Sequence, residues 1–233
     1  MTPYDIVRVA HIGLGGLAFV VLPVPLAARK GGKAHVSFGR IYVYAMGGLA
    51  LTGVPLAARG LFSDDPRRQG SALFLFFIAL LASDNAWLGV RVIRASRKAA
   101  SQRRLLDVAP PVALLCAAAG LLVLGASRGV ALHVFFGLLG GLISVGQISS
   151  WLRGPRSRAE SVIRHIGGMG VSCITTLTAF LVTNAQHVFG LRAFNIVVWV
   201  TPTVLGAFAI ARAQRAWRAR LSAPTPARGD VSA

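Results

Sequence analysis

Acidic residues are scarce: seven Asp and Glu stand against 25 Lys and Arg in 233 residues, a formal net charge of +18. Cysteine is scarcer still, with only Cys116 and Cys173. Both fall inside apolar stretches, where thiols behave as small hydrophobes, so neither a disulfide framework nor a CxxC metal site is present. No Walker loop, GxSxG elbow or HExxH helix occurs, so nothing signals an enzyme of those kinds. Lysine is confined to Lys30, Lys33 and Lys98. A retinal Schiff base needs a lysine in the last apolar stretch, so a rhodopsin-type pigment is excluded. The late pair of histidines used by seven-span zinc hydrolases is also missing, because no histidine follows His187.

What is abundant is apolar sequence. Hydrophobic residues make up 55% of the chain, and mean hydropathy is +0.64. A membrane span takes about 20 mostly apolar residues at about 1.5 Å rise each. Seven such stretches occur, at 6–28, 36–58, 71–92, 109–127, 129–150, 160–184 and 194–214. None alternates polar and apolar residues as barrel strands do. The expected fold is an all-α membrane protein, a bundle of seven transmembrane helices over residues 1–217. The first stretch lacks a basic amino flank and is followed by Arg29 and Lys30, so it reads as a retained helix rather than a cleaved signal. Pro110 and Pro111 open the fourth span, a position that tolerates proline. The tail 218–233, rich in Ala, Pro, Ser and Arg, is expected to be disordered.

The positive charge is unevenly distributed. Connectors after spans one, three and five, with the tail, hold 19 of the 25 basic residues; the amino end and the remaining connectors hold six. By the positive-inside rule the amino terminus lies outside and the carboxyl terminus in the cytoplasm. Orientation accounts for the charge, so the expected partner is the lipid bilayer and not nucleic acid.

Four histidines fall within or at the ends of spans. His11 and His133 lie about one turn inside the outer ends of spans one and five; His35 and His165 lie at the inner ends of spans two and six. Three carry glycine four residues on, as His11–Gly15, His35–Gly39 and His133–Gly137, and His165 has Gly168 at the third position. Such glycines share the histidine's face. Imidazole ligates haem and transition metals, and a flat macrocycle needs missing side chains beside its ligand. Depth pairs His11 with His133 and His35 with His165, as candidate ligands of two b-type haems or metal centres. The packing alternative is that glycine stripes such as Gly137-x-x-x-Gly141 let helices, or copies of the chain in a homo-oligomer, approach closely.

Asp84, followed by Asn85, is the only acidic residue deep within a span. A carboxylate there costs about 2.5–3.5 kcal/mol on insertion scales and should face a partner or a cavity. Arg91 and His165 are its candidate partners. It is a candidate proton or cation site, and with the hydroxyl-rich sixth span (Ser172, Thr175, Thr176, Thr178) it forms the basis of a transporter reading. A weak echo of spans one and two in spans five and six, a possible parallel repeat, supports that reading. A structural or assembly protein without chemistry is the third class.

The run Arg29-Lys-Gly-Gly-Lys-Ala-His35-Val-Ser-Phe-Gly39-Arg-Ile-Tyr42-Val-Tyr-Ala-Met46 is similar to a block in bacterial predicted multi-pass membrane proteins carrying a domain of unknown function. Arg164-His165-Ile-Gly-Gly-Met169, Thr178-Ala-Phe180 and Trp199-Val-Thr-Pro202-Thr203 resemble further blocks of the same group. The resemblance implies a bacterial inner-membrane protein and carries no activity with it.

Overall fold

The computed structural model describes residues 1–96, 105–153, 157–190 and 195–222. Every regular element among the described residues is helical: α1 Pro3–Val21, α2 Pro23–Ala27, α3 Lys33–Leu61, α4 Pro66–Ser96, α5 Leu105–Arg128, α6 Ala131–Leu152, α7 Arg158–Phe189 and α8 Ile196–Ser222. Seven of the segments, with α1 and α2 counted as one, are long and apolar enough to cross a membrane. A helix satisfies its own backbone polar groups, which lipid cannot do. The chain is an all-helical, multi-pass membrane protein.

The first span is divided where the sequence suggested one helix. Pro23 has no N–H to offer the carbonyl of Phe19, so α1 ends at Val21 and the short α2 follows. Lys30 Nζ then donates to the carbonyls of Pro25 and Leu26 at 2.9 and 2.5 Å, closing the end of α2. The fourth span starts earlier than expected, at Leu105, with Pro110 and Pro111 inside the helix. Asp107, buried in its first turn, is ion-paired with Arg91 at the end of α4, and this anchors the turn that precedes the prolines. The last helix continues to Ser222, five residues into the stretch expected to be disordered. Ala, Arg and Leu are good helix formers, and Arg220 complements the dipole at the carboxyl end. The rest of the tail, 223–233, lies outside the described residues.

The helix α4 is the axis of the bundle, packing against α3, α5 and α7. Phe74, Phe77 and Leu81 on one side of it pack with Leu114 and Leu121 of α5, Phe136 of α6 and Trp199 of α8. Ala82 and Ala86 on another side meet Tyr42, Ala45 and Met46 of α3, with Ala18 and Val21 of α1 behind them. Contact between α4 and α7 depends on glycine. A Cβ on Gly168 would lie 2.8 Å from the Asn85 carbonyl oxygen, and one on Gly89 would lie 3.2 Å from the Met169 nitrogen. Close backbone approach through small residues is how helices associate where lipid removes the hydrophobic drive.

Successive spans alternate in direction. His35 meets His165, Arg91 meets Asp107, and Gln214 Nε2 donates to the Ile163 carbonyl at 3.0 Å, so these residues share one end. At the opposite end Arg59 lies over the Tyr4 ring, and Arg128 donates to the Pro66 carbonyl. The first end carries Arg29, Lys30, Lys33, Arg158 and Arg164 and is called the basic end below.

Candidate functional site

Asp84 and Asn85 sit in the basic half of α4, and both are buried. Asn85 Nδ2 donates to the Leu81 carbonyl at 2.8 Å. A carbonyl can only accept, so this bond fixes the Asn85 amide and turns its Oδ1 outward as an acceptor. Gln147 Nε2 of α6 donates to that Oδ1 at 3.2 Å. The same Gln147 side chain is the polar neighbour of the Asp84 carboxyl. With the Gln147 amide thus oriented, its Oε1 has no partner, and neither has Asp84 Oδ2. Two buried acceptors without a donor are costly, about 1–3 kcal/mol for each unsatisfied group.

The expected partners of Asp84 are engaged elsewhere. Arg91 is held by Asp107, through its Nε and through Nη2 to Oδ2 at 3.0 Å. His165 Nδ1 donates to the Gly89 carbonyl at 2.7 Å. Asp84 therefore has no basic partner among the described residues.

Beside this pair the bundle opens. A groove of about 210 Å³ runs between α6 and α7 with α4 as its floor, lined by Leu88, Leu142, Ile143, Gly146, Gln147 and Arg164, with Gly167 and Gly168 on the α7 side. The Arg164 guanidinium lies 5.5 Å from the centre of the Trp151 ring. Towards the opposite end the same helices are closed by aromatic contacts, with Trp199 4.6 Å from Phe74 and 5.9 Å from Phe136 between ring centres.

The histidines fall in three places. His35 and His165 come together, ring centres 6.0 Å apart and planes at 66°. Each donates Nδ1–H to a backbone carbonyl, His35 to Pro25 at 2.9 Å and His165 to Gly89 at 2.7 Å. This fixes the tautomer of both rings and leaves each Nε2 as a lone-pair donor, the state in which imidazole binds metals. The outer pair is not formed. His11 lies between α1 and α3, Nδ1 2.8 Å from Thr52 Oγ1. The Thr52 hydroxyl already donates to the Gly48 carbonyl, so it accepts from His11. His133 stacks on Phe74 at 5.5 Å, between α6 and α4, and its Nδ1 is buried without a partner.

The glycines beside the histidines do not form a common slot. A Cβ on Gly137 would lie 2.9 Å from the backbone of Leu122, so α5 occupies that face. Gly168 is covered by Asn85, Gly15 touches Leu49, and only Gly39 of the four faces open space. Close helix packing thus fills the face beside His133 that Gly137 would otherwise leave open. Gly141 faces outward, so the Gly137-x-x-x-Gly141 pair is divided between an internal contact and the surface. Among the described residues no group of three or more His, Cys, Asp or Glu could hold a metal ion.

The hydroxyls of α7 mostly bond their own helix: Thr175 to the Val171 carbonyl at 2.8 Å and Thr178 to that of Ile174 at 2.7 Å. Thr176 does the same, and with Ser172 it holds the buried Tyr42 hydroxyl at 2.9 and 2.8 Å. The polar lining of the groove thus comes from Gln147 and Arg164 rather than from the hydroxyls of span six. Gln147 was passed over in sequence, although an amide inside an apolar stretch is itself a signal. Family models, curated proteins and solved structures yield no match to this chain.

Proposed function

We propose that this is a bacterial inner-membrane carrier, amino end outside and basic end cytoplasmic, that moves a small solute or ion with Asp84 as its proton- or cation-binding group. One observation carries the reading: the Asp84 carboxyl and the Gln147 amide are both buried, each with an acceptor oxygen lacking a donor, and Gln147 also lines a groove. An unpaired carboxylate in apolar surroundings requires a proton or a cation to neutralise it, and such residues mark ion and proton paths. The excess of basic residues at one end supports the orientation.

The test is proton movement into liposomes holding purified protein, driven by a potassium diffusion potential and followed with an entrapped pH dye. The wild type should acidify the lumen. Asp84→Asn keeps the shape and removes the titrating group, and should lower the rate by about tenfold or more, the scale of losing a positioned proton-transfer group. Equal rates would remove Asp84 from the mechanism.

A second reading has its own observation, the His35–His165 pair with both Nε2 atoms available. It supports a bis-imidazole metal or haem centre at the basic end, completed by ligands from outside the described histidines. An absorption spectrum and metal analysis of purified protein test it. Bound metal or haem that is lost in His165→Ala supports it, and a colourless, metal-free preparation rejects it.

A further inference from the structure

Beneath the His35–His165 pair the soft donors of the chain collect. The helices α3 and α7 run in the same direction, with His35 against His165, Tyr42 against Ser172 and Met46 against Thr176. The chain has three methionines, and the two internal ones, Met46 and Met169, both lie in this seam with Cys173. Met169 stands four residues after His165, one turn deeper on the same face of α7. Both close on Gly89 of α4. Its carbonyl accepts from His165 Nδ1 at 2.7 Å, and a Cβ on it would lie 2.7 Å from Met169 Sδ.

The two rings are spaced for one ion. An imidazole nitrogen holds a metal at about 2.0 Å, so the ion lies about 3.2 Å from the ring centre and two ligating rings stand at most about 6.4 Å apart, centre to centre. The 6.0 Å separation falls inside that limit. Both Nδ1 atoms are committed to carbonyls, which puts the lone pairs on Nε2. Neither Nε2 has a partner among the described residues, and neither is sealed from solvent.

Softness and charge name the ion. The donors are two neutral imidazoles and a neutral thioether, and no carboxylate joins them among the described residues. Hard dications such as Mg2+ and Ca2+ take oxygen ligands, carboxylates above all. Lys30 Nζ shares the Pro25 carbonyl with His35 Nδ1, so a positive charge stands beside the site and opposes a dication more strongly than a monocation. Thioether and imidazole donors around a single positive charge suit Cu(I).

We infer that His35 Nε2, His165 Nε2 and the Met169 thioether form a binding site for Cu(I) at the basic end of the seam between α3 and α7. This rests on the bis-imidazole reading and names its metal.

Purified protein in detergent, kept anaerobic, is titrated against Cu(I) bicinchoninate, whose purple colour fades as the protein takes the metal. The wild type should take up Cu(I), and X-ray absorption should show nitrogen neighbours with a sulfur. His35→Gln, at the start of α3, keeps a donor for the Pro25 carbonyl. It should weaken binding by about hundredfold or more, beyond what a change around the ligands costs. Met169→Leu conserves volume and should remove the sulfur signal and weaken binding about tenfold. Cys116→Ala, which removes an exposed thiol on α5, should change nothing. No Cu(I) uptake against the competitor, uptake unchanged in His35→Gln, or a sulfur signal that persists in Met169→Leu overturns the inference. The wild-type titration and Met169→Leu decide the matter even if His35→Gln does not fold. Haem or Zn2+ held through His165 with no Cu(I) uptake would remove the copper assignment and leave the bis-imidazole reading standing. A protein that takes up none of the three would end both.

Discussion

The two halves of α4 are built differently. Towards its start, Phe74, Phe77 and Leu81 cluster with aromatic and branched side chains from four other helices, and the half is sealed. Past Ala82 the same helix presents Asp84, Asn85 and Gly89, and the neighbours supply Gln147, Gly168 and an open groove. Both halves hold a histidine contact and an unpartnered polar atom, but in the basic half two such atoms are buried on neighbouring helices and Gln147 also lines a groove. The aromatic half supplies rigidity, and the polar half departs from ideal packing in the way functional sites do.

The largest effect that would sharpen this contrast lies in the sealed half. Trp199→Ala removes a side chain 1% exposed and should destabilise the protein by about 3–5 kcal/mol, measured by thermal unfolding in detergent. A loss under about 1 kcal/mol would mean that the aromatic half collapses easily and is not the rigid partner. Next is the ion pair at the basic end. Asp107→Ala leaves Arg91 without its carboxylate and should cost about 3 kcal/mol, whereas Arg91→Met with Asp107→Leu should cost much less, because no charge is then stranded. If the double variant is as unstable as the single, the pair contributes more than mutual neutralisation. The smallest effect belongs to Thr52→Val, which removes one acceptor from His11 in a half-exposed contact. It should cost about 1 kcal/mol and leave proton movement unchanged.

Much of this architecture was legible in sequence. Span length and apolar content depend on the solvent a helix must cross, so seven spans could be marked without knowing their neighbours. Boundaries shifted where a local feature acted: Pro23 divided the first span, and the Arg91–Asp107 pair extended the fifth helix ahead of Pro110. Depth could be read for the histidines, but adjacency could not. His35 and His165 meet because α3 and α7 both pack on α4, whereas His11 and His133 lie on α1 and α6, which do not pack closely on one another among the described residues. Asp84 was visible as a lone carboxylate. Its relation to Gln147, 63 positions away, depends on α6 being held across the bundle by large aromatic side chains, which no local pattern records.

The most direct measurement compares the two halves in one proton-movement assay in liposomes. Asp84→Asn alters the polar half, and His133→Phe alters the sealed half, where the ring stacks on Phe74 and its Nδ1 has no partner. The account predicts that Asp84→Asn loses proton movement while His133→Phe retains the wild-type rate. Retention in Asp84→Asn, with loss in His133→Phe, would contradict it.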